Sequence, residues 1–283
     1  MNKFIILALI SSLMAGCGGA ATTSDFFAKN ETATAGVIYG DNSISEVKKS
    51  EPNNSVSVAL IKKEDFLALK NKEEGYRVSD FISEDLSWKD QPISAFCSGV
   101  LISENQILTA GHCFAETKCE EFVAAFNYDL SGKDLRGIEC KKIDILKNSL
   151  DEEGLDYALV TLTEKVSLKP ATFGEKMLSE KSAVYSVGYP LGAYKKKSEG
   201  QIVEIAKGLY RSDLDLFTGN SGSPVFSAET HELVGIVSSG ETDFEENSEG
   251  SGPARIKHCQ IESCRGEFIT PIQKILADIA KTN

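Results

Sequence analysis

Short apolar runs separated by turn-forming residues constrain this chain more than any other feature. They fall at Val56 to Ile61, Cys97 to Ile102, Phe122 to Phe126, Tyr157 to Leu162, Val184 to Val187, Gln201 to Ile205, Val225-Phe226 and Leu233 to Val237. Branched and aromatic residues dominate them, and each is too short for a helix. That pattern predicts an all-β fold built as a pair of barrels. Residues 37 to 283 suffice for one large domain or two small packed barrels. Only the C-terminus reads as helical. Pro271 suits a first turn, and Ile272, Ile275, Leu276 and Ile279 fall on one face at helical spacing. No internal repeat is visible.

The N-terminus reads as a targeting segment. Lys3 gives a short basic start, Phe4 to Met14 is mostly apolar, and Met14-Ala15-Gly16-Cys17 places small residues before a cysteine. The apolar run is too short to span a bilayer, so residues 1–16 are expected to be a cleaved signal peptide. The ending resembles a bacterial lipobox, which would make Cys17 the lipidated mature N-terminus and the membrane a partner of the chain. An ordinary signal peptide with an incidental cysteine is the alternative. Residues 17–36 are rich in Ala, Thr and Ser without apolar periodicity, as in a tether or propeptide.

Three segments carry residue types that fit nucleophilic catalysis. Thr109-Ala110-Gly111-His112-Cys113 offers a histidine, Leu155-Asp156-Tyr157 an aspartate, and Gly219-Asn220-Ser221-Gly222-Ser223-Pro224 a serine. A serine hydroxyl needs a neighbouring base, and that base needs a group to fix its tautomer. Glycines around Ser221 permit a sharp turn that aims the N–H groups of Gly219 and Ser221 at one developing oxyanion. Each piece alone has a bland reading as a turn, a buried histidine or a strand-capping aspartate. Their order, His112…Asp156…Ser221, with each in a suitable local context, favours a catalytic set. His231 and His258 lack such a context, and Trp88 and Tyr189 read as packing residues.

Seven cysteines are odd in number, and removing Cys17 leaves six. Cys97 and Cys113 bracket a strand pair, so a bridge there would staple the histidine loop to the sheet. Cys119 with Cys140, and Cys259 with Cys264, are the natural remaining pairs by proximity, though sequence alone leaves other connectivities open. A zinc site at His258, Cys259 and Cys264 is the competing reading, which a secreted, oxidising setting disfavours. No metal or cofactor is expected. The formal charge of −12, from 30 basic and 42 acidic residues, argues against nucleic acid as a partner. Lys195-Lys196-Lys197 and Glu245-Glu246 read as exposed loop tips.

Taken together, these motifs resemble the trypsin-like, chymotrypsin-fold serine proteases from about Val37 to the C-terminal helix. The resemblance implies two packed six-stranded antiparallel β-barrels, about 52–168 and 172–270, and a short helix at 271–281. It also implies a monomeric endopeptidase that acts on protein or peptide substrates in the bacterial cell envelope, lipid-anchored or secreted. Within the family, Gly188-Tyr189-Pro190 and the serine hexapeptide are most similar to the bacterial glutamyl-endopeptidase branch. Val37-Ile38-Tyr39-Gly40 is similar to the start of mature enzymes there, which implies propeptide removal before Val37. Carried over by position, His112, Asp156 and Ser221 match the triad, and Gly219 and Ser221 the oxyanion donors. Leu233 to Ser238 matches the strand lining the substrate cleft, with Val237, Ser238, Ser239 and Gly240 as substrate-binding positions.

Two departures from the pattern matter. Asn220 stands where animal trypsins carry the aspartate that binds a freed N-terminal amine, so activation must differ. Val237 stands where glutamyl endopeptidases place a selecting histidine, so cleavage after glutamate is not expected. Asp215, six residues before Ser221, has the offset of the trypsin carboxylate that binds Arg or Lys and is the candidate selector. Asp213 matches a structural aspartate of bacterial relatives. The disulfide that flanks this loop in trypsins is missing. A catalytically silent envelope binding or adhesion module is the alternative function.

Overall fold

A computed structural model of the chain describes residues 37–83, 86–149, 155–245 and 253–282. The expected signal peptide, tether and Cys17 lie outside the described residues. The chain enters through two short strands, β1 (Ile38–Tyr39) and β2 (Ser45–Glu46). It then builds β3 (Ser57–Lys62), β4 (Ala95–Leu101), β5 (Gln106–Thr109), β6 (Phe122–Phe126), β7 (Arg136–Ser149) and β8 (Leu155–Leu162). These six strands close a barrel in the order β3-β4-β5-β8-β7-β6, every pair antiparallel.

A second set follows: β9 (Ala183–Gly188), β10 (Lys196–Ala206), β11 (Leu209–Ser212), β12 (Pro224–Ser227), β13 (Leu233–Ser239), β14 (His258–Cys259) and β15 (Glu267–Pro271). Here β11-β15-β13-β12-β9-β10 closes through the β10–β11 hairpin, and β2 adds to the β10 edge. The protein is therefore an all-β, chymotrypsin-like pair of six-stranded antiparallel barrels.

Apolar side chains of both barrels share one core. Val58, Leu60, Val100, Ile107 and Val160 from the first barrel belong to the same buried cluster as Val187, Phe226, Leu233 and Ile236 from the second. The seam between barrels is also hydrogen-bonded. Ser57 Oγ donates to the Val187 carbonyl at 2.7 Å, and the Tyr189 hydroxyl donates to the Ser57 carbonyl at 3.2 Å. Closed barrels leave no free sheet edge, so the seam is a fixed reference against which loops can be aimed.

Three expectations need correction. A helix at Lys63–Asn71 buries only Phe66, too narrow an apolar face to be read from periodicity. The C-terminal helix spans Ile272–Thr282, and Pro271 is instead the last residue of β15, paired with Gly235. Lys195, Lys196 and Lys197 are not a loop tip. They start or adjoin β10, and their ammonium groups lie 5.9, 5.3 and 5.0 Å from the ring centres of Tyr189, Trp88 and Tyr185. Lys195 and Lys196 are buried, and burial pushes each ammonium down to about 8. Aromatic faces and the Asn54 and Tyr194 carbonyls take the place of water there. Trp88 and Tyr189 are buried packing residues, as expected.

Candidate active site

The histidine and the aspartate belong to one barrel. His112 sits on a short 3₁₀ turn, Gly111–Phe114, directly after β5, and Asp156 is the second residue of β8, the neighbour of β5. His112 Nδ1 lies 2.6 Å from Asp156 Oδ2, and the His112 backbone N–H donates to Asp156 Oδ1 at 2.8 Å. Asp156 is wholly buried and the imidazole is partly exposed. Both carboxylate oxygens thus engage the same residue, which fixes ring position and tautomer together. Glycine is required at 111 because a Cβ there would sit 1.9 Å from the Lys147 carbonyl oxygen. The Cys97–Cys113 bridge ties this turn back to β4.

The serine comes from the other barrel. Ser221 lies in the turn before β12, and both barrels hold the backbone of that turn. The Ser98 N–H donates to the Ser221 carbonyl at 2.8 Å, the Gly222 N–H to the Val237 carbonyl at 2.8 Å, and the Ser98 hydroxyl to the Gly219 carbonyl at 2.7 Å. Cys113, next to His112, contacts the Ser221 carbonyl through Sγ at 3.9 Å. The two loops are thereby brought together across the seam. Among the described residues the Ser221 hydroxyl makes no hydrogen bond to the His112 ring. Gly219 has φ +91°, a conformation open to glycine. The N–H groups of Gly219 and Ser221 donate to no protein group among the described residues, while those of Asn220, Gly222 and Ser223 are all engaged. Two uncommitted donors flanking a serine form a ready anion-binding nest.

The substrate-binding candidates separate into two groups. Val237, Ser238, Ser239 and Gly240 run along the end of β13 and beyond it, all buried. Val237 is hydrogen-bonded through its backbone to Gly222 and Ser223, directly beside the nucleophile loop. Ser238 Oγ donates to the Phe268 carbonyl at 3.2 Å.

Asp215 corrects the sequence reading. It is buried, but both oxygens are taken by the N-terminal segment. The Tyr39 N–H reaches Oδ1 at 2.7 Å, and the Ser43 N–H and hydroxyl reach Oδ2 at 2.6 and 2.7 Å. A carboxylate so occupied is not waiting for a guanidinium. Asp213, in turn, accepts from the Gln201 N–H at 2.7 Å.

Sequence reasoning missed three acidic residues near the end of β13, Glu241, Asp243 and Glu267. Asp243 accepts from the Thr218 N–H at 2.9 Å, holding the residue before Gly219 where the resemblance lacks its flanking disulfide. Glu267 accepts from the Tyr39 hydroxyl at 3.0 Å and the Glu241 N–H at 3.3 Å, and its Oε2 lies against Gly240. Asp243 Oδ1 and Glu267 Oε2 are buried without a partner among the described residues, and burial raises both carboxyls well above the usual range. Glu241 differs. Burial opposes its charge, but the Arg265 N–H and the Lys257 ammonium hold it down at about 2. No local motif marks these three. The one available hint was the acidic residue opening β15, a strand the apolar runs did not reveal.

Cys97–Cys113, Cys119–Cys140 and Cys259–Cys264 are all disulfide-bonded. That pairing removes the thiolates a zinc site at His258, Cys259 and Cys264 would need. His231 sits at φ +59° in the β12–β13 turn, its ring 3.3 Å from the Tyr185 hydroxyl.

This fold and this site define a class. Residues 97–236 match the family described as a trypsin-like peptidase domain. Among solved structures, the chain is similar to the VesB protease of Vibrio cholerae, with TM-score 0.55 and 18% identity over 87% of this chain and 67% of that one. It is also similar to a Glu endopeptidase, with TM-score 0.55 and 16% identity over 87% of this chain and 100% of that one. These findings support a serine endopeptidase, a hydrolase of peptide bonds.

Proposed function

We propose that the chain cleaves peptide bonds through an acyl-enzyme formed on Ser221. His112 takes the Ser221 proton as the hydroxyl attacks the scissile carbonyl, then delivers it to the leaving amine; water completes the cycle by the same route in reverse. Asp156 holds the imidazole and stabilises its cation. The free N–H groups of Gly219 and Ser221 receive the oxyanion, one such donor being worth ~2.7–4 kcal/mol. The observation that carries this reading is the double hydrogen bond between His112 and a fully buried Asp156, on a turn packed against the Ser221 backbone. Labelling by an active-site-directed fluorophosphonate tests it. The wild type should label on Ser221 and hydrolyse a peptide library, and an inert wild type would sink the reading.

For specificity we propose a cationic residue before the scissile bond. The support is Glu267, whose Oε2 lies against Gly240 and is buried without a partner among the described residues: burial holds this carboxyl neutral, and a bound ammonium or guanidinium would draw off its proton and pair with it. A library profile without preference for Arg or Lys removes this part. We further propose that Cys17 is acylated and holds the precursor at the bacterial envelope, on the strength of its lipobox-like context. Radiolabelled palmitate should enter the wild type and not Cys17→Ala.

A further inference from the structure

We infer that residues 37–46 form a built-in strap that positions the nucleophile loop, with Asp215 as the positioning residue that couples the two. The inference rests on Ser221 being the nucleophile. Four residues of the strap, Val37, Ile38, Tyr39 and Ser43, reach residues 215–217, and the others tie it to neighbouring strands. Val37 forms an antiparallel bridge with Leu216. Ile38 packs with Leu191 and Phe217 in one buried cluster. The Ile38 N–H donates to the Lys257 carbonyl at 3.1 Å and the Gly40 N–H to the Cys259 carbonyl at 3.2 Å. Tyr39 and Ser43 supply the three hydrogen bonds to Asp215 found among the described residues, and the Tyr39 hydroxyl reaches Glu267. Finally β2 pairs with Lys196 and Lys197 on β10.

These contacts reach the oxyanion donors through residues 215–217. Asp215 lies three residues before the turn at Thr218-Gly219, and the Asn220 N–H donates to the Phe217 carbonyl at 2.9 Å. Ile44, Asp215, Leu216 and Asn220 line one cavity of about 10 Å³, so the strap and the residue preceding Ser221 face the same small space. A turn aimed to within a few tenths of an ångström needs such a second layer, because donor placement sets oxyanion stabilisation. Asn220 cannot form the ion pair that a freed amine would need. The groups that hold Asp215 are two backbone N–H groups and one hydroxyl, none of them an α-amine. Competence therefore depends on the strap's being seated, and a new N-terminus at Val37 is not required for these contacts.

Asp215→Asn keeps the size of the side chain but replaces one acceptor by a donor that faces an N–H. In the full chain it should lower kcat for a peptide substrate, and the rate of fluorophosphonate labelling, by about a hundredfold, with KM changed less than threefold. Ser43→Ala removes only the hydroxyl and should lower both about fivefold to tenfold, with Ser43→Thr restoring them. Rates are taken per folded molecule, from circular dichroism and thermal melting, so a merely structural residue would lower Tm and leave kcat in place. If Asp215→Asn does not fold, the Ser43 pair decides. Wild-type kcat in Ser43→Ala, or a lost Arg/Lys preference with unchanged kcat in Asp215→Asn, overturns the inference while the endopeptidase reading stands. A wild type inert to the fluorophosphonate overturns both.

Discussion

The two halves of the site are held by different means. His112 and Asp156 are fixed by direct side-chain contact inside one barrel, with a disulfide and a close glycine contact supporting the turn. Ser221 and the N–H groups of Gly219 and Ser221 are placed through the backbone of their turn, which is held by backbone partners, the Ser98 hydroxyl and the Asp243 carboxyl, and which leans on a segment far away in sequence. A base must keep one orientation while it gains and loses a proton, which suits a rigid carboxylate clamp. An oxyanion pocket must place donors rather than side chains, which suits a turn braced from behind. The first half is self-sufficient, and the second borrows its order.

The sharpest way to break this comparison is to remove each reacting group. Ser221→Ala and His112→Ala should each lower kcat by on the order of 10⁶, because the members act as a unit. Single-turnover hydrolysis at matched folded concentration measures it, and near-normal hydrolysis by Ser221→Ala would refute the mechanism. Asp156→Asn probes the clamp itself. One oxygen becomes an amide that cannot accept from the ring N–H, so the tautomer is wrong while the packing survives. A loss of about 10⁴ in kcat is expected, and a loss under tenfold would show that the clamp is ornamental. Removing the bridge with Cys97→Ala and Cys113→Ala tests the self-sufficiency of this half. Its 16-residue separation makes the bridge worth ~3 kcal/mol by loop entropy. Denaturant unfolding should report that loss, with kcat of the folded protein little changed.

The same division decides what could be read from sequence. The His112 and Ser221 motifs are local, and most strands that carry apolar residues on both faces were visible as runs. Strand β7 was not, because its exposed face carries Lys141, Lys142 and Lys147, which break the apolar pattern. The lysines at 195–197 looked solvated because charge is the default signal of a surface, and only tertiary structure supplies the three aromatic faces beneath them. Asp215 had the right offset for a selector, and offset alone could not show that Tyr39 and Ser43 lie against it, 176 and 172 positions away. Long-range hydrogen bonds leave no periodic trace. The supports of the serine half were therefore illegible where its motif was plain.

The smallest expected effect concerns Glu267, the buried carboxyl behind that half. Burial raises it well above its ordinary value of 4.5, and the neighbouring charges of Asp243 and Glu241 add to the rise, against donation from Tyr39 and the Glu241 N–H. From about pH 5 upward the folded protein thus keeps a proton that the unfolded chain has released. Linkage then requires stability to fall as pH rises through that window, since the native state binds more protons there. Each pKa unit of difference is worth ~1.4 kcal/mol, and one kcal/mol moves Tm by ~2–4 °C in a chain of this size. Glu267→Gln keeps the Tyr39 contact and cannot ionise, so its Tm should fall less between pH 5 and pH 8 than that of the wild type, the two proteins lying closest at pH 5. Asp243 titrates in the same direction and leaves a residual slope in the variant. Parallel Tm curves for the two proteins across this range would mean that Glu267 is ionised in the fold, met by a cation or by water, and that the braced half of the site is less dry than its burial implies.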